Sequence, residues 1–141
     1  MTVFRCFVEK KRPFAVEANG VRNELTKTLL LSGVEDVRVI NRYDIENIDE
    51  EDWNNAVRNI LSEPQVDDVY EETAPAASEN EWVLAVEYLP GQFDQRADSA
   101  SQCIQLSTMK QRPVVRTARL YYIKGTLSDE DKAKIRKTLI N

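Results

Sequence analysis

The stretch IDEED, residues 48–52, carries the local signals that start a helix. Asp49 is a residue type preferred at a helix N-cap, and the three acidic residues after it complement the positive end of the helix dipole. Ile48 lies where it can pack against Trp53 as a hydrophobic staple. Beyond this start, apolar residues recur with helical spacing and predict one buried face, made of Trp53, Ala56, Val57, Ile60 and Leu61.

A related stretch, LSDED, occupies residues 127–131 and precedes a final apolar pattern. Strand-like segments also come in pairs: residues 3–8 match residues 82–86, and residues 37–39 match residues 118–122. The spacing between matching segments is about 80 residues, which is typical of a duplicated supersecondary unit. The sequence therefore predicts two copies of a β-α-β-α unit.

The two copies are predicted to span residues 1–72 and 82–141, with a linker at residues 73–81. The linker sequence TAPAASENE has small residues, Pro and acids, which favours a mobile connection. The first copy has a trailing strand at residues 65–72, and the second has no residues left for its counterpart. We therefore expect an imperfect repeat or a chain cut from a longer protein.

The predicted fold class is α+β, with two β-α-β-α(-β) repeats forming a pseudo-two-fold dimer of antiparallel sheets with helices outside. The first helix of copy one is expected to end near Gly33, as a C-cap glycine. If the strands form sheets that stack on each other, one strand face per repeat is expected to be apolar. Its predicted members are Phe4, Cys6, Val8, Val37, Val39, Leu84, Val86, Ala118 and Leu120.

Composition excludes several classes of function. The chain has 141 residues, a net charge of −5 and no histidine, which argues against non-specific nucleic-acid binding and removes every imidazole mechanism. Cys6 and Cys103 form no metal or redox spacing, as expected for free thiols in the cytoplasm. No apolar run approaches the length needed to span a membrane. We expect no metal site, bound cofactor or membrane partner in this chain.

The stretch YLPGQFDQRADSA, residues 88–100, is the most distinctive motif. Pro90-Gly91 predicts a sharp turn, and Asp94 or Asp98 can cap the helix that follows. Arg96 can pair with an anion, although capped turns are more common than binding sites at helix starts. We interpret the motif as a contact surface for a neighbouring domain. The candidate residues are Pro90, Gly91, Gln92, Phe93, Asp94, Gln95, Arg96, Asp98 and Ser99.

Three segments carry a resemblance to a known family: VEYLPGQFDQRADSASQCIQL (86–106), residues 39–72 and residues 116–141. Together they resemble the N-terminal domain of the large single-chain phosphoribosylformylglycinamidine synthases, a domain that resembles two fused copies of the family's small subunit. In that family Trp and Lys also occur at the positions of Arg96 and Ser99. The resemblance therefore assigns no anion-binding role to these two side chains.

The resemblance implies a place in purine biosynthesis. The full enzyme is an ATP-dependent ligase and glutamine amidotransferase that amidates formylglycinamide ribonucleotide, with ATP and magnesium in a synthetase region and the nucleophilic Cys in a glutaminase region. The N-terminal domain helps to assemble these two partners near the ammonia route in the cytoplasm. The resemblance implies no catalytic residue here, so the isolated chain is predicted to be inactive.

Two other functions stay open at this point. The chain can be a free-standing accessory subunit of the same complex, or a regulatory module that senses a small molecule. A homodimer of the isolated chain also stays open. These alternatives differ in whether the chain binds a synthetase and glutaminase or a metabolite.

Overall fold

The computed structural model describes residues 2–140 as one antiparallel five-stranded sheet with four α-helices. A 3₁₀ turn at Arg12–Phe14 precedes the first helix, and a π-helical turn at Glu24–Thr28 continues it. The strands are β1 (Phe4–Lys10), β2 (Val34–Glu46), β3 (Asp67–Glu71), β4 (Glu81–Glu87) and β5 (Val114–Gly125). The helices are α1 (Val16–Asn23), α2 (Glu50–Asn59), α3 (Gln95–Thr108) and α4 (Asp129–Leu139).

The sheet has the strand order β3-β1-β2-β5-β4, with β2 paired to β5 at its centre. The predicted α+β class with antiparallel strands is confirmed. The two halves of the chain join edge to edge into a single sheet, so they do not stack as separate sheets. The long β2 and β5 strands supply this central pairing and hold the halves together.

The ladders in the two halves share one register. Adding 78 to both numbers of the pair Cys6–Tyr43 in the β1–β2 ladder gives Leu84–Tyr121, which is an observed pair of the β4–β5 ladder. The same shift carries the whole β1–β2 pairing onto β4–β5 wherever both are formed. The pseudo-two-fold relation stays a prediction, and these matched ladders support it.

The predicted helix starts at residues 49 and 128 are confirmed. The Asp49 side chain accepts a hydrogen bond from the Asp52 amide at 2.8 Å and begins α2. Ser128 begins α4 with a reciprocal capping box, in which its hydroxyl and the Asp131 carboxylate each bond the other's backbone amide. These contacts are local, which is why the sequence alone predicts them.

All four helices pack on one face of the sheet. The core on that face has two clusters, one under α2 and α3 and the other under α1 and α4. β2 contributes to both clusters with side chains of the same parity, Val37 and Val39 to one and Tyr43 and Ile45 to the other. The helices therefore form one layer on the sheet.

The other face of the sheet carries a third cluster, made of Phe7, Ile40, Leu120 and Tyr122. Residues 72–80, called here the crossing segment, pass along this face between β3 and β4. Ala74 packs against the cluster, and the Tyr122 hydroxyl donates a hydrogen bond to the Pro75 carbonyl at 2.6 Å. Residues 73–80 of the predicted linker have no helix or strand and cover part of a buried face, whereas Glu81, its last residue, begins β4.

Two residues of the predicted core lie on the face of the sheet away from the helices. Ala118 and Leu120 are buried as predicted, but they lie on the helix-free side, opposite the face that carries Val39. Tyr121 and Ile123 face the helices in their place. The reason is that β5 is apolar on both faces, so alternation of residue types does not specify its register.

The first helix ends earlier than predicted. The backbone turns at Leu30, whose φ of 57° lies in the left-handed region, so Gly33 is not the helix cap. Gly33 instead lies against the end of β5, where a Cβ atom would be 2.0 Å from the Thr126 carbonyl oxygen. Gly33 is therefore required by a close approach of two backbone segments.

Replacing Gly33 with Ala is expected to lower the free energy of unfolding by about 2 kcal/mol, because backbone atoms must move to admit the methyl group. The matched control is Gly20→Ala within α1, where an added Cβ meets nothing within 4 Å. That change is expected to stabilise the helix by about 0.5 kcal/mol. Urea unfolding of both variants measures the difference, and a Gly33→Ala chain as stable as the parent would contradict this packing.

Candidate functional site

The Phe93 loop, defined as residues 88–94, joins β4 to α3 and contains the predicted turn. The Gln92 amide donates a hydrogen bond to the Leu89 carbonyl at 3.0 Å. The Gln92 side chain accepts another from the Leu89 amide at 2.6 Å. Gly91 has a φ of 88°, which favours glycine at this position. The turn predicted at Pro90-Gly91 is therefore present, and its side-chain clamp is Gln92.

Asp94 locks the loop to the sheet. Its carboxylate accepts a hydrogen bond from the Ala97 amide at 2.9 Å and so caps α3. The same carboxylate accepts from the amide and hydroxyl of Thr117, a buried residue of β5, at 2.8–2.9 Å. Of the two candidate caps, Asp94 is the one used. Its carboxylate is occupied by these hydrogen bonds within the chain, so it is not assigned to a contact with another domain.

Asp98 and Arg96 also have partners within the chain. Asp98 pairs with Arg112 and accepts a hydrogen bond from Gln102 at 3.0 Å. Arg96 is half-buried, and its guanidinium donates to the Tyr43 hydroxyl at 3.4 Å. Asp98 therefore anchors α3 to the segment before β5, whereas the guanidinium of Arg96 has no carboxylate partner among residues 2–140.

The remaining candidates point outward from this anchored frame. Phe93 is 71% exposed, although it is a large aromatic side chain. Its neighbours Leu89 and Tyr88, which were not among the candidates, are 68% and 46% exposed. The other exposed candidates are Pro90, Gly91, Gln92, Gln95 and Ser99. The sequence signal that identifies Tyr88 and Leu89 is their place just after the last strand residue, where alternation no longer buries side chains.

A cavity of about 390 Å³ lies between the Phe93 loop, β4, β5 and the end of α4. Its apolar lining includes Val86, Leu89 and Leu139, and its polar lining includes Arg96 and Arg119. A second groove of about 380 Å³ lies on the other side of Arg96, between α3 and the end of α2. Arg96 thus borders both cavities, which makes it the central polar group of the site.

The two arginines of the site differ in their partners. Arg119 pairs with Glu17 at 3.3 Å, and both side chains are about half exposed. Among residues 2–140, the neutral Tyr43 hydroxyl is the only side-chain group at hydrogen-bond distance from the Arg96 guanidinium. A guanidinium beside exposed apolar side chains suits a partner that presents an acidic group next to an apolar one. The geometry therefore favours binding at this site.

The two cysteines lie in different environments. Cys6 is completely buried, and burial raises the pKa of its thiol to about 12. Cys103 is exposed on α3 and borders the second groove. Within residues 2–140 there is no group of three or more His, Cys, Asp or Glu that could hold a metal ion.

These environments predict selective thiol chemistry. At pH 8 one thiol per native chain, that of Cys103, is expected to react with a disulfide reagent within minutes, because Cys103 is exposed whereas Cys6 is buried and the pKa of its thiol is raised. Unfolding in guanidinium is expected to release the second. Cys103→Ser is the control and should abolish the native reaction, while rapid reaction of two native thiols would contradict the burial of Cys6.

No family model matches the chain, and neither the curated proteins nor the solved structures give a significant match. Among the helices described between residues 2 and 140, none has the length and apolar character needed to cross a membrane. The function is therefore inferred from the residues and their geometry.

Proposed function

We propose that the chain is a non-catalytic assembly domain of a phosphoribosylformylglycinamidine synthase. In this proposal it holds the synthetase and glutaminase regions together near the ammonia route, in the cytoplasm. ATP, magnesium and the reacting thiol belong to those regions. The resemblance of residues 86–106 to the family motif motivates the proposal, and the exposed side chains of the Phe93 loop support it.

The observation that carries the proposal is an anchored loop with exposed apolar side chains. Asp94 fixes the base of the loop through Thr117 and the α3 amide, while Phe93 and Leu89 lie largely in solvent. Exposed large apolar groups on a well-held frame are typical of protein–protein contacts. Arg96 adds a positive group beside them, so the surface suits a partner that presents an acidic group next to an apolar one.

Phe93→Ser is expected to weaken binding of this chain to a synthetase–glutaminase fragment about tenfold or more, because the aromatic ring is the largest exposed anchor of the loop. The fragment is a family enzyme whose own N-terminal domain has been deleted, and titration calorimetry measures the affinity. The parent chain alone is expected to show only background glutamine hydrolysis and ATP-dependent amidation.

Leu106→Ser is the matched control, since Leu106 is 75% exposed on α3 but lies three turns beyond the loop. It should bind like the parent. Equal loss of affinity in both variants would indicate a non-specific apolar effect, and robust turnover by the isolated chain would refute a non-catalytic role.

A small-molecule-sensing module is the second candidate, and the 390 Å³ cavity with its two arginines favours it. A calorimetric screen of the isolated chain with amino acids and nucleotides separates the two. Tight binding of one metabolite, together with no binding to the synthetase–glutaminase fragment, would favour the sensor. A free-standing accessory subunit would use the same surface, and the length of the gene's reading frame distinguishes it.

A further inference from the structure

The two edges of the sheet differ in what pairs with them. On one side β3 pairs with β1 and ends the sheet. On the other side β4 ends the sheet, and no strand within residues 2–140 pairs with its outer edge. By the register shift of 78 residues, β4 takes the place of β1 in its half of the sheet. The outer edge of β4 therefore corresponds to the edge of β1 that β3 occupies.

The pairing pattern determines which backbone N–H and C=O groups of β4 point away from the sheet at this edge. Odd-numbered residues of β1 bond toward β3, as shown by the bonds from Glu72 to the Arg5 carbonyl at 2.9 Å and from Lys11 to the Val66 carbonyl at 2.7 Å. In an antiparallel ladder the bonding direction alternates along each strand. A shift of 78 preserves this parity.

The β4–β5 side agrees with that parity. The Gly125 amide donates to the Asn80 carbonyl at 2.9 Å, so the even-numbered residues of this strand bond toward β5. It follows that Val83, Ala85 and Glu87 direct their N–H and C=O groups outward. The unpaired backbone groups of these residues have the same spacing and register as the groups through which β1 bonds β3.

The two edges also differ in how they are protected. β3 has the sequence DDVYE, and charged residues on an edge strand discourage further pairing. β4 has the sequence EWVLAVE, without Lys, Pro or a bulge over its seven residues. Its terminal acids, Glu81 and Glu87, pair with arginines of β2 on the helix-free face. The middle of the β4 edge is thus left open to pairing.

We propose that the outer edge of β4 binds an extended segment of the synthetase–glutaminase region as an antiparallel sixth strand. The segment has a β-branched apolar residue opposite Val86. This follows β3, where Val69 lies opposite Val8 and packs against the core cluster beneath α2. The 390 Å³ cavity borders Val86 and Leu139, so the added side chain has apolar surface to cover. The identity of the partner rests on the proposed function.

A second copy of the chain is a poorer occupant. Two β4 strands paired antiparallel about Ala85 would place Glu87 opposite Val83 and Glu81 opposite Leu89. Each end of that ladder would set an acid against an apolar side chain, and both chains carry a net charge of −5. A partner strand with neutral or basic residues opposite the acids avoids both costs.

The test has two arms, and the first uses the chain's own β3 as the probe. Residues 64–73, with the change Asp68→Lys so that a basic residue lies opposite Glu87, are appended after Asn141 through a flexible Gly/Ser linker of about 10 residues. The linker gives an effective concentration in the millimolar range. Amide hydrogen exchange is then followed by NMR. We expect exchange at Val83, Ala85 and Glu87 to slow at least tenfold relative to the parent, with no such change at Leu84 and Val86, which already pair with β5.

Two variants control this arm. Ala85→Pro removes an outward N–H, which an edge strand tolerates, and should abolish the protection. Val69→Asp in the appended copy should abolish it too and leaves the folded chain untouched. Unchanged exchange in the fusion would refute an open edge. Protection of the same amides in the parent chain, rising with its concentration, would assign the edge to a second copy and also overturn the proposal.

The second arm measures exchange in the complex of the parent chain with the synthetase–glutaminase fragment. Protection of Val83, Ala85 and Glu87 there supports the proposed partner. A complex that forms without protecting these amides overturns this inference and leaves the assembly function intact. If no complex forms, both the assembly function and the proposed partner are overturned. The fusion result still shows whether the outer edge of β4 can pair with an added strand.

Discussion

Replacing Val39 with Asp is expected to lower the free energy of unfolding by about 4 kcal/mol. Val39 lies in the middle of β2, is only 8% exposed, and belongs to the cluster under α1 and α4. Its partner across the ladder is Tyr121, whose ring is also buried. A carboxylate at this position would lie within this buried apolar cluster, so the variant must either bury a charge or take up a proton.

The control for this change is Val83→Asp. Val83 is the same residue type on β4, but it is 37% exposed at the edge of the sheet. There the carboxylate stays hydrated, and the expected loss is below about 1 kcal/mol. Urea unfolding at pH 7, followed by the fluorescence of the two tryptophans, measures both variants. Similar losses at the two positions would contradict the assigned faces of β2.

Replacing Asp94 with Ala is expected to lower the free energy of unfolding by about 3 kcal/mol. The loss of the α3 cap contributes about 1 kcal/mol. The rest comes from Thr117, which is buried and would keep an amide and a hydroxyl without their acceptor. Because Asp94 also fixes the Phe93 loop, the same variant should bind the synthetase–glutaminase fragment more weakly than its remaining stability explains.

Asp98→Ala controls for the charge. Asp98 lies one turn further along α3 and pairs with Arg112, but both side chains are about 40% exposed. Such a pair contributes little, so the expected loss is below about 1 kcal/mol. Thermal unfolding of the two variants at pH 7 makes the comparison. If Asp98→Ala destabilised the chain more than Asp94→Ala, Asp94 would not be the main contact that holds α3 to β5.

The helix starts were predictable because their chemistry is local. Asp49 and Ser128 each bond an amide three residues away, and the apolar spacing of α2 gives Trp53, Ala56 and Val57 as its buried face. The single sheet was not predictable from such signals. It depends on the pairing of β2 with β5, whose residues are about 80 positions apart in the sequence.

The face of β5 that meets the helices was not predictable from the sequence, for a physical reason. β5 is apolar on both faces, since Leu120 and Tyr122 alternate with Tyr121 and Ile123. A strand of this kind indicates burial on two sides and does not say which side meets the helices. The crossing segment provides part of the cover for the second side. Its small, polar composition gave no sign that Ala74 packs against a core cluster.

The sequence predicted which segment forms the site, but not how the side chains of that segment are arranged. The motif at residues 88–100 correctly indicated a turn followed by a capped helix. The choice between Asp94 and Asp98 depends on Thr117, which is 23 residues from Asp94 in the sequence. The exposure of Phe93 likewise depends on how α3 lies on the sheet, which local patterns do not encode. The same holds for Arg96, whose guanidinium has no carboxylate partner in the part of the chain that the structure describes.

Reconstitution in trans gives the most direct test of the proposed function. A family enzyme without its N-terminal domain is assayed for glutamine-dependent amidation with increasing amounts of this chain. We expect the chain to restore activity, with Phe93→Ser requiring about tenfold more for the same rate and Leu106→Ser behaving like the parent. No restoration at any concentration, in a titration where the chain remains folded, would contradict the proposed role as an assembly domain.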